Sequence, residues 1–221
     1  MKDSIDAILQ RKQAEYLESL TPQRDALVER MEKFAAEHNH PIADPEVAQF
    51  LRVLVRAKRP KRIFEVGTNI GYSVVVMGRE CEPEATIETV ELDRNTLQTA
   101  RELVAEAKLK CRVVFHEGAA LDVLPKLQGT FDFLFIDCVK TEYNQYLDVM
   151  LPKLERGALI VCDNLLWKGH VAQGVHGPSP DALRAFNERF VTDPRLITSI
   201  LALGDGTGVS VVVGGQAILP V

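Results

Sequence analysis

Four residues in the second half of the chain are of the types that hold a cation and move a proton. Asp137 and Lys140 follow a nearly unbroken apolar run in "FDFLFIDCVKTEY", and Asp163 and Asn164 close a second one, "GALIVCDN". Both runs have the length of buried strands, and neighbouring strands lie about 4.8 Å apart. If the two are adjacent, Asp137, Asp163 and Asn164 converge at one sheet edge. Three oxygen donors without His or Cys suit a hard cation, best Mg²⁺, with its other positions left to water or substrate. A single Asp in this place would more simply cap the next helix or loop; the pair with Asn favours a site. A free lysine, with a pKa of about 10.4, is a poor base, but beside a divalent cation and partly desolvated a lysine becomes a proton acceptor. Taken alone, Lys140 would read as a solvated residue opening a helix.

A second constellation lies upstream. In "FEVGTNIGYS" a strand enters a turn bearing Gly67 and Gly71 and then a helix, which lets a nucleotide-like ligand approach the backbone. The dinucleotide fingerprint G-x-G-x-x-G is not met, because Asn69 fills the middle position. Two glycines alone are as well explained by an ordinary βα turn. Glu91 breaks the tie: it ends the next strand 24 residues after Gly67, where an acid can bind both ribose hydroxyls of an adenosine-type ligand. No G-x-x-x-x-G-K-[ST] occurs, which argues against a phosphate-binding ATPase loop.

Such residues need strand ends to carry them, and from residue 62 onward the pattern supplies these. "RIFEVG", "ATIETVELD", "CRVVFHEG", "FDFLFID" and "GALIVCDN" read as strands. Between them, "YSVVVMGREC", "NTLQTARELVAEAK", "ALDVLPKL" and "EYNQYLDVMLPKL" read as helices. Helix "DALRAFNERFV" follows, then strands "LITSILALG" and "TGVSVVVGG" joined at Gly204-Asp205-Gly206. Repeated βα units predict an α/β fold with a doubly wound, mostly parallel sheet, ending in an antiparallel hairpin. Ligands of such sheets sit beyond the carboxyl ends of the strands, where Asp137 stands. Residues 3–59 read as three helical pieces, the first carried by Ile5, Ile8, Leu9, Tyr16 and Leu20.

The bulk numbers bound the class. A chain of 221 residues with 46% hydrophobic and 26% charged content is an ordinary globular protein. Net charge −5 does not advertise nucleic-acid binding, although a local basic patch could still hold RNA. No apolar run approaches the roughly 20 residues of a membrane span. Cys81, Cys111, Cys138 and Cys162 are scattered without a CxxC pair, so a zinc site or disulfide framework is a poor reading, and a reducing cytoplasm is expected.

Five stretches, "EVGTNIGYS", "VELD", "FIDCVKTEYNQYL", "CDNLLWKGHVA" and "GDG", occur in order within residues 40–215. Together they resemble the metal-dependent class I O-methyltransferases, which include the catechol and caffeoyl-coenzyme A enzymes and bacterial relatives. The resemblance implies one Rossmann-like, seven-stranded methyltransferase domain over 1–221, with helical residues 1–60 and an α/β core at 61–221. It implies S-adenosylmethionine (SAM) as methyl donor, Mg²⁺ or another divalent cation, a catechol-like small-molecule acceptor and a homodimer. By the same resemblance Glu65, Gly67, Tyr72 and Ser73 line the donor site with Glu91 on its ribose. Ala43, Gly118, Ala119 and Asp137 pass near the donor's ends, Asp137, Asp163 and Asn164 ligate the metal, and Lys140 is the base. The chain departs from the family at Cys138-Val139, where Ala-Asp or Ala-Ala is usual, and at Gly157-Ala158. Its "EYLESLTPQRDALVERMEKFAAEHNHPI" is similar to a bacterial branch that methylates 5-hydroxyuridine at the tRNA wobble position, which makes tRNA the alternative acceptor. A non-catalytic SAM-binding module is the third reading.

Other residues carry weaker signals. His38 and His40 are two apart, which on a helix points them in different directions and disfavours a zinc site. His170, His176 and the single tryptophan, Trp167, fall in or beside a glycine-bearing loop after Asp163-Asn164. The run Arg56, Lys58, Arg59, Lys61, Arg62 is the best candidate for a phosphate-backbone contact, its ordinary reading being a solvated helix end.

Overall fold

The structure is a computed structural model that describes residues 11–20, 22 and 25–214. Its layering follows from strands too apolar to be buried on one face only. In β1 (Arg62–Val66), Ile63 faces one layer and Phe64 and Val66 the other. Four further strands lie inside the sheet, β2 (Thr86–Glu91), β4 (Phe131–Ile136), β5 (Leu154–Cys162) and β7 (Thr207–Val212), with β3 (Arg112–Glu117) and β6 (Leu196–Leu201) at its two edges. Their order is β3-β2-β1-β4-β5-β7-β6. Strands β1 to β5 pair in parallel, whereas β7 runs antiparallel to both β5 and β6.

Helices cover both faces. On one, α2 (Ala26–His38), α3 (Pro45–Lys58), α4 (Tyr72–Gly78) and α5 (Arg94–Glu106) pack Met31, Leu51, Val55, Val74, Val75 and Val104 against Ile63, Phe133, Phe135 and Val161. On the other, α6 (Ala120–Val123), α7 (Tyr143–Met150) and α8 (Pro178–Thr192) bring Tyr143, Tyr146, Phe186 and Phe190 onto Phe64, Leu134, Ile136 and Ile160. Helices α2 and α3, before β1, are thus integral to the core: both pack on α4. Helix α1 is described over Arg11–Ser19, and Ile5, Ile8 and Leu9 lie outside the described residues.

The chain moves outward from β1 to β2 and β3, then returns to β4 on the other side of β1. This reversal opens a crevice at the carboxyl ends of β1 and β4. The hydrogen-bond ladder continues past the strand ends and fixes what stands there. Gly118 N–H donates to Glu91 O (2.9 Å), and Thr68 N–H to Val90 O (3.0 Å). Asp137 N–H donates to Val66 O, and Asp163 N–H to Ile136 O, both at 3.0 Å.

Several boundaries differ from the sequence expectation. Strand β5 starts at Leu154 rather than Gly157, and a register shift between Phe131 and Phe133 absorbs the extra residues. Helix α7 stops at Met150, because Pro152 lacks the N–H that a continuing helix needs. Helix α4 stops at Gly78, short of Cys81. Among the described residues no helix is long and apolar enough to cross a membrane.

Candidate active site

A cleft of about 590 Å³ opens at the switch between β1 and β4. Its walls are residues 40–43, the turn Gly67-Thr68-Asn69 with Tyr72 and Ser73, Glu91 and Thr96, residues 137–140, and Asn164, Trp167, Lys168 and Asp205.

The turn after β1 is shaped for close approach. Gly67 has φ +104°, and a Cβ there would lie 2.2 Å from the Asp137 carbonyl oxygen, so only glycine lets the β1 and β4 ends meet. Gly71, at φ +79°, leads into α4. Glu91 is held by three backbone N–H groups: Asn69 to Oε2 at 2.9 Å, and Leu92 and Asp93 to Oε1 at 2.9 and 3.0 Å. A carboxylate has about four acceptor positions, so capacity remains for a donor facing it from the cleft. Glu65 sits one layer below the cleft wall, fully buried on the α4 face of the sheet. It accepts hydrogen bonds from Ser73 Oγ and from Thr89 Oγ1 (2.6 Å), its lateral neighbour on β2. Burial lifts its pKa from 4.5 to about 8 against those two bonds, with the charges of Asp137 and Glu91 adding to the rise.

On the β4 side, Lys140 opens a short 3₁₀ turn and is only 6% exposed. Its Nζ donates to Asp137 Oδ1 (2.7 Å) and to the Tyr143 hydroxyl (2.8 Å), which in turn donates to the Asp163 carbonyl oxygen (3.0 Å). Tyr143 is fully buried, and its pKa stands well above 10 because burial penalises the phenolate. Asp163 Oδ1 accepts from Asn164 N–H (2.7 Å) and Thr207 Oγ1 (3.3 Å). Burial, then the charge of Asp137, pushes Asp163 up to about 7, opposed by the Asn164 N–H and by Lys140. Asp44 is also raised, by burial and by Glu46, Asp205 and Asp137. The charges of Asp44, Asp137 and Asp163 thus repel one another.

The loop after β5 rests on the "GDG" turn. Leu165 and Leu166 N–H donate to Gly206 O (2.8 Å) and Asp205 O (2.9 Å). Both Asp205 carboxylate oxygens take the Lys168 N–H, at 2.8 and 2.7 Å. Asn164, Trp167 and Lys168 adopt left-handed φ (59°, 47° and 56°); Asn tolerates this well, a bulky Trp poorly.

Of the sequence-predicted residues, Ala43, Gly67, Tyr72, Ser73, Glu91, Asp137, Lys140 and Asn164 border the cleft, while Glu65, Asp163, Gly118 and Ala119 do not line it. His40, Asn69, Thr96, Trp167 and Asp205 also reach it; of these, sequence reasoning dismissed His40 as a zinc ligand and gave Asn69 no role. The basic run lies elsewhere. Arg56, Arg59 and Arg62 pair with Glu80 (3.1 Å), Glu82 (3.1 Å) and Glu88 (2.5 Å) at the amino end of β1, opposite the cleft. Three of the five cations in that run are thus paired with carboxylates, away from the cleft.

A parallel sheet with a glycine turn and an acid at successive strand ends defines a Rossmann-like nucleoside-binding fold. A family model described as O-methyltransferase matches residues 18–212. The caffeoyl-CoA O-methyltransferase of Petroselinum crispum is 28% identical over 203 residues, covering 85% of this chain and 84% of that protein. The O-methyltransferase from Bacillus cereus, solved in complex with SAH, superposes with a TM-score of 0.81 at 28% identity, over 90% of this chain and 96% of that one. The O-methyltransferase TomG from Streptomyces achromogenes, involved in tomaymycin synthesis and solved in complex with SAM, gives 0.82 at 27% identity, over 90% and 95%. The chain belongs to the O-methyltransferase family and is a SAM-dependent O-methyltransferase.

Proposed function

We propose that this enzyme transfers the methyl group of SAM to one hydroxyl of a small phenolic acceptor bearing two neighbouring oxygens, as a catechol does. The observation that carries this reading is that Asp137 and Asp163-Asn164 directly follow the paired strands β4 and β5, with Lys140 bonded to Asp137. Likeness to a caffeoyl-CoA O-methyltransferase supports a phenolic small molecule over RNA. The paired state of Arg56, Arg59 and Arg62 supports the same choice.

The donor would lie across the glycine turn, with its ribose on Glu91 and its methionine end toward Ala43 and Ser73. Mutual repulsion of Asp137, Asp163 and Asp44 and an all-oxygen donor set fit a hard divalent cation such as Mg²⁺, which Asp137, Asp163 and Asn164 would hold. Bound there, it supplies Lewis-acid stabilisation of the developing oxyanion. Lys140 takes the acceptor's hydroxyl proton, its Nζ held in place by the Tyr143 hydroxyl. The acceptor oxygen then forms its bond to the methyl carbon as the sulfur–methyl bond breaks, leaving S-adenosylhomocysteine. Holding the two reactants in line lowers the barrier by positioning. Trp167 and Lys168, which line the same cleft, would wall its acceptor end. We also infer that 1–221 functions as one catalytic domain within a homodimer, as the family likeness suggests.

The test is labelled SAM offered with a catechol panel and, separately, with tRNA lacking its wobble methoxy group. Label in catechols supports the reading; label confined to tRNA overturns it.

A further inference from the structure

Asn69 makes three hydrogen bonds that no sequence motif announces. Its backbone N–H donates to Glu91 Oε2 (2.9 Å). Its side-chain Nδ2 donates to the Pro41 carbonyl oxygen, and its Oδ1 faces His40 Nδ1 at 3.0 Å. A carbonyl only accepts, so the amide must present Nδ2 to Pro41. Its Oδ1 is then left to accept from a protonated His40 Nδ1. Its φ of 45° is left-handed, a conformation that Asn reaches more readily than most side chains. The other side of the same segment is also fixed. Helix α2 ends at Asn39 (φ 56°), with His40 N–H donating to Ala35 O (2.9 Å), and the His40 ring stacks on Phe34 of α2 at 5.7 Å.

We propose that Asn69 is a positioning residue for methyl-donor binding, a latch that ties residues 40–43 to the turn holding Glu91. One side chain thereby sets the separation of two walls between which the donor lies. The inference rests on the donor-site reading of Glu91 and Ala43 given above. Aspartate could not replace Asn69, because it would set a carboxylate against the Pro41 carbonyl and lose the donated bond. Glycine allows the left-handed backbone, keeps an N–H for Glu91 and removes both side-chain bonds of the latch.

Asn69→Gly, Asn69→Asp and Glu91→Ala are compared with the parent by calorimetric titration with S-adenosylhomocysteine and by hydrogen exchange of the peptide spanning residues 40–47. With two neutral hydrogen bonds deleted, N69G should bind about tenfold more weakly. Its exchange should quicken within that peptide while β1 and β4 stay protected. N69D should be at least as weak as N69G. Parent-like affinity in N69G alongside weakened binding in E91A would refute the latch. Parent-like affinity in both would overturn the donor-site reading and the latch with it. Exchange that quickens throughout the sheet would mark Asn69 as a general structural residue and also refute the proposal.

Discussion

Glu65 should impose a pH dependence on stability that Glu65→Gln abolishes. The carboxyl is fully buried, bonded to Ser73 and Thr89, and its pKa stands at about 8 rather than 4.5. Between those values the folded chain keeps the proton and the unfolded chain releases it. Stability therefore falls as pH rises through that window. Glu65's contribution is fully present below 4.5 and lost above about 8. At about 1.4 kcal/mol per pH unit, the interval amounts to on the order of 5 kcal/mol. Glutamine resembles the protonated acid, with one donor and one acceptor end, so that in both the Ser73 or the Thr89 hydroxyl turns to accept, and it cannot ionise. The ligand-free variant should match the parent near pH 5 and exceed it by several kcal/mol at pH 8.5 to 9, as read by urea unfolding across pH. A stability difference that stays flat from pH 5 to 9 would refute the buried, proton-holding state assigned to Glu65.

Three further outcomes follow from the same geometry. Lys140→Ala should lower turnover by about 10² to 10⁴, the usual range for loss of a general base, while S-adenosylhomocysteine binding by calorimetry stays near the parent's; unchanged turnover removes Lys140 from the proton path. Glu91→Ala should weaken SAM binding by roughly 1.5–3 kcal/mol, the scale of hydrogen bonds to a charged group; equal affinity would mean that β2 does not end at the ribose. Gly67→Ala should destabilise by on the order of 3 kcal/mol, since its Cβ would press on the Asp137 carbonyl at 2.2 Å; an unchanged thermal melt would contradict the close approach of β1 and β4.

What the sequence disclosed, and what it withheld, has a physical pattern. Asp137, Asp163 and Asn164 were legible because doubly buried parallel strands read as apolar runs, and the first polar residue beyond each marks its carboxyl end. Lys140 was only half legible. Its spacing from Asp137 was plain, but its burial depends on Tyr143, which a short 3₁₀ turn swings beneath it. Glu65 lines no cleft, because strand alternation turns it toward α4, and its partner Thr89 becomes visible only once the β1–β2 register is known. His40 and Asn69 meet across 29 residues of chain, a contact with no local signature. The closing hairpin was expected, but not that β7 would insert between β5 and β6.

The most direct test of the central claim is methyl transfer from labelled SAM to catechol, measured before EDTA treatment, after it, and after Mg²⁺ is restored, with a plain monophenol in parallel. Acceptors with vicinal oxygens should be methylated, EDTA should abolish the transfer, Mg²⁺ should restore it, and the monophenol should be poor throughout. Robust methylation of the monophenol that EDTA leaves untouched would contradict the roles proposed for Asp137, Asp163 and Asn164.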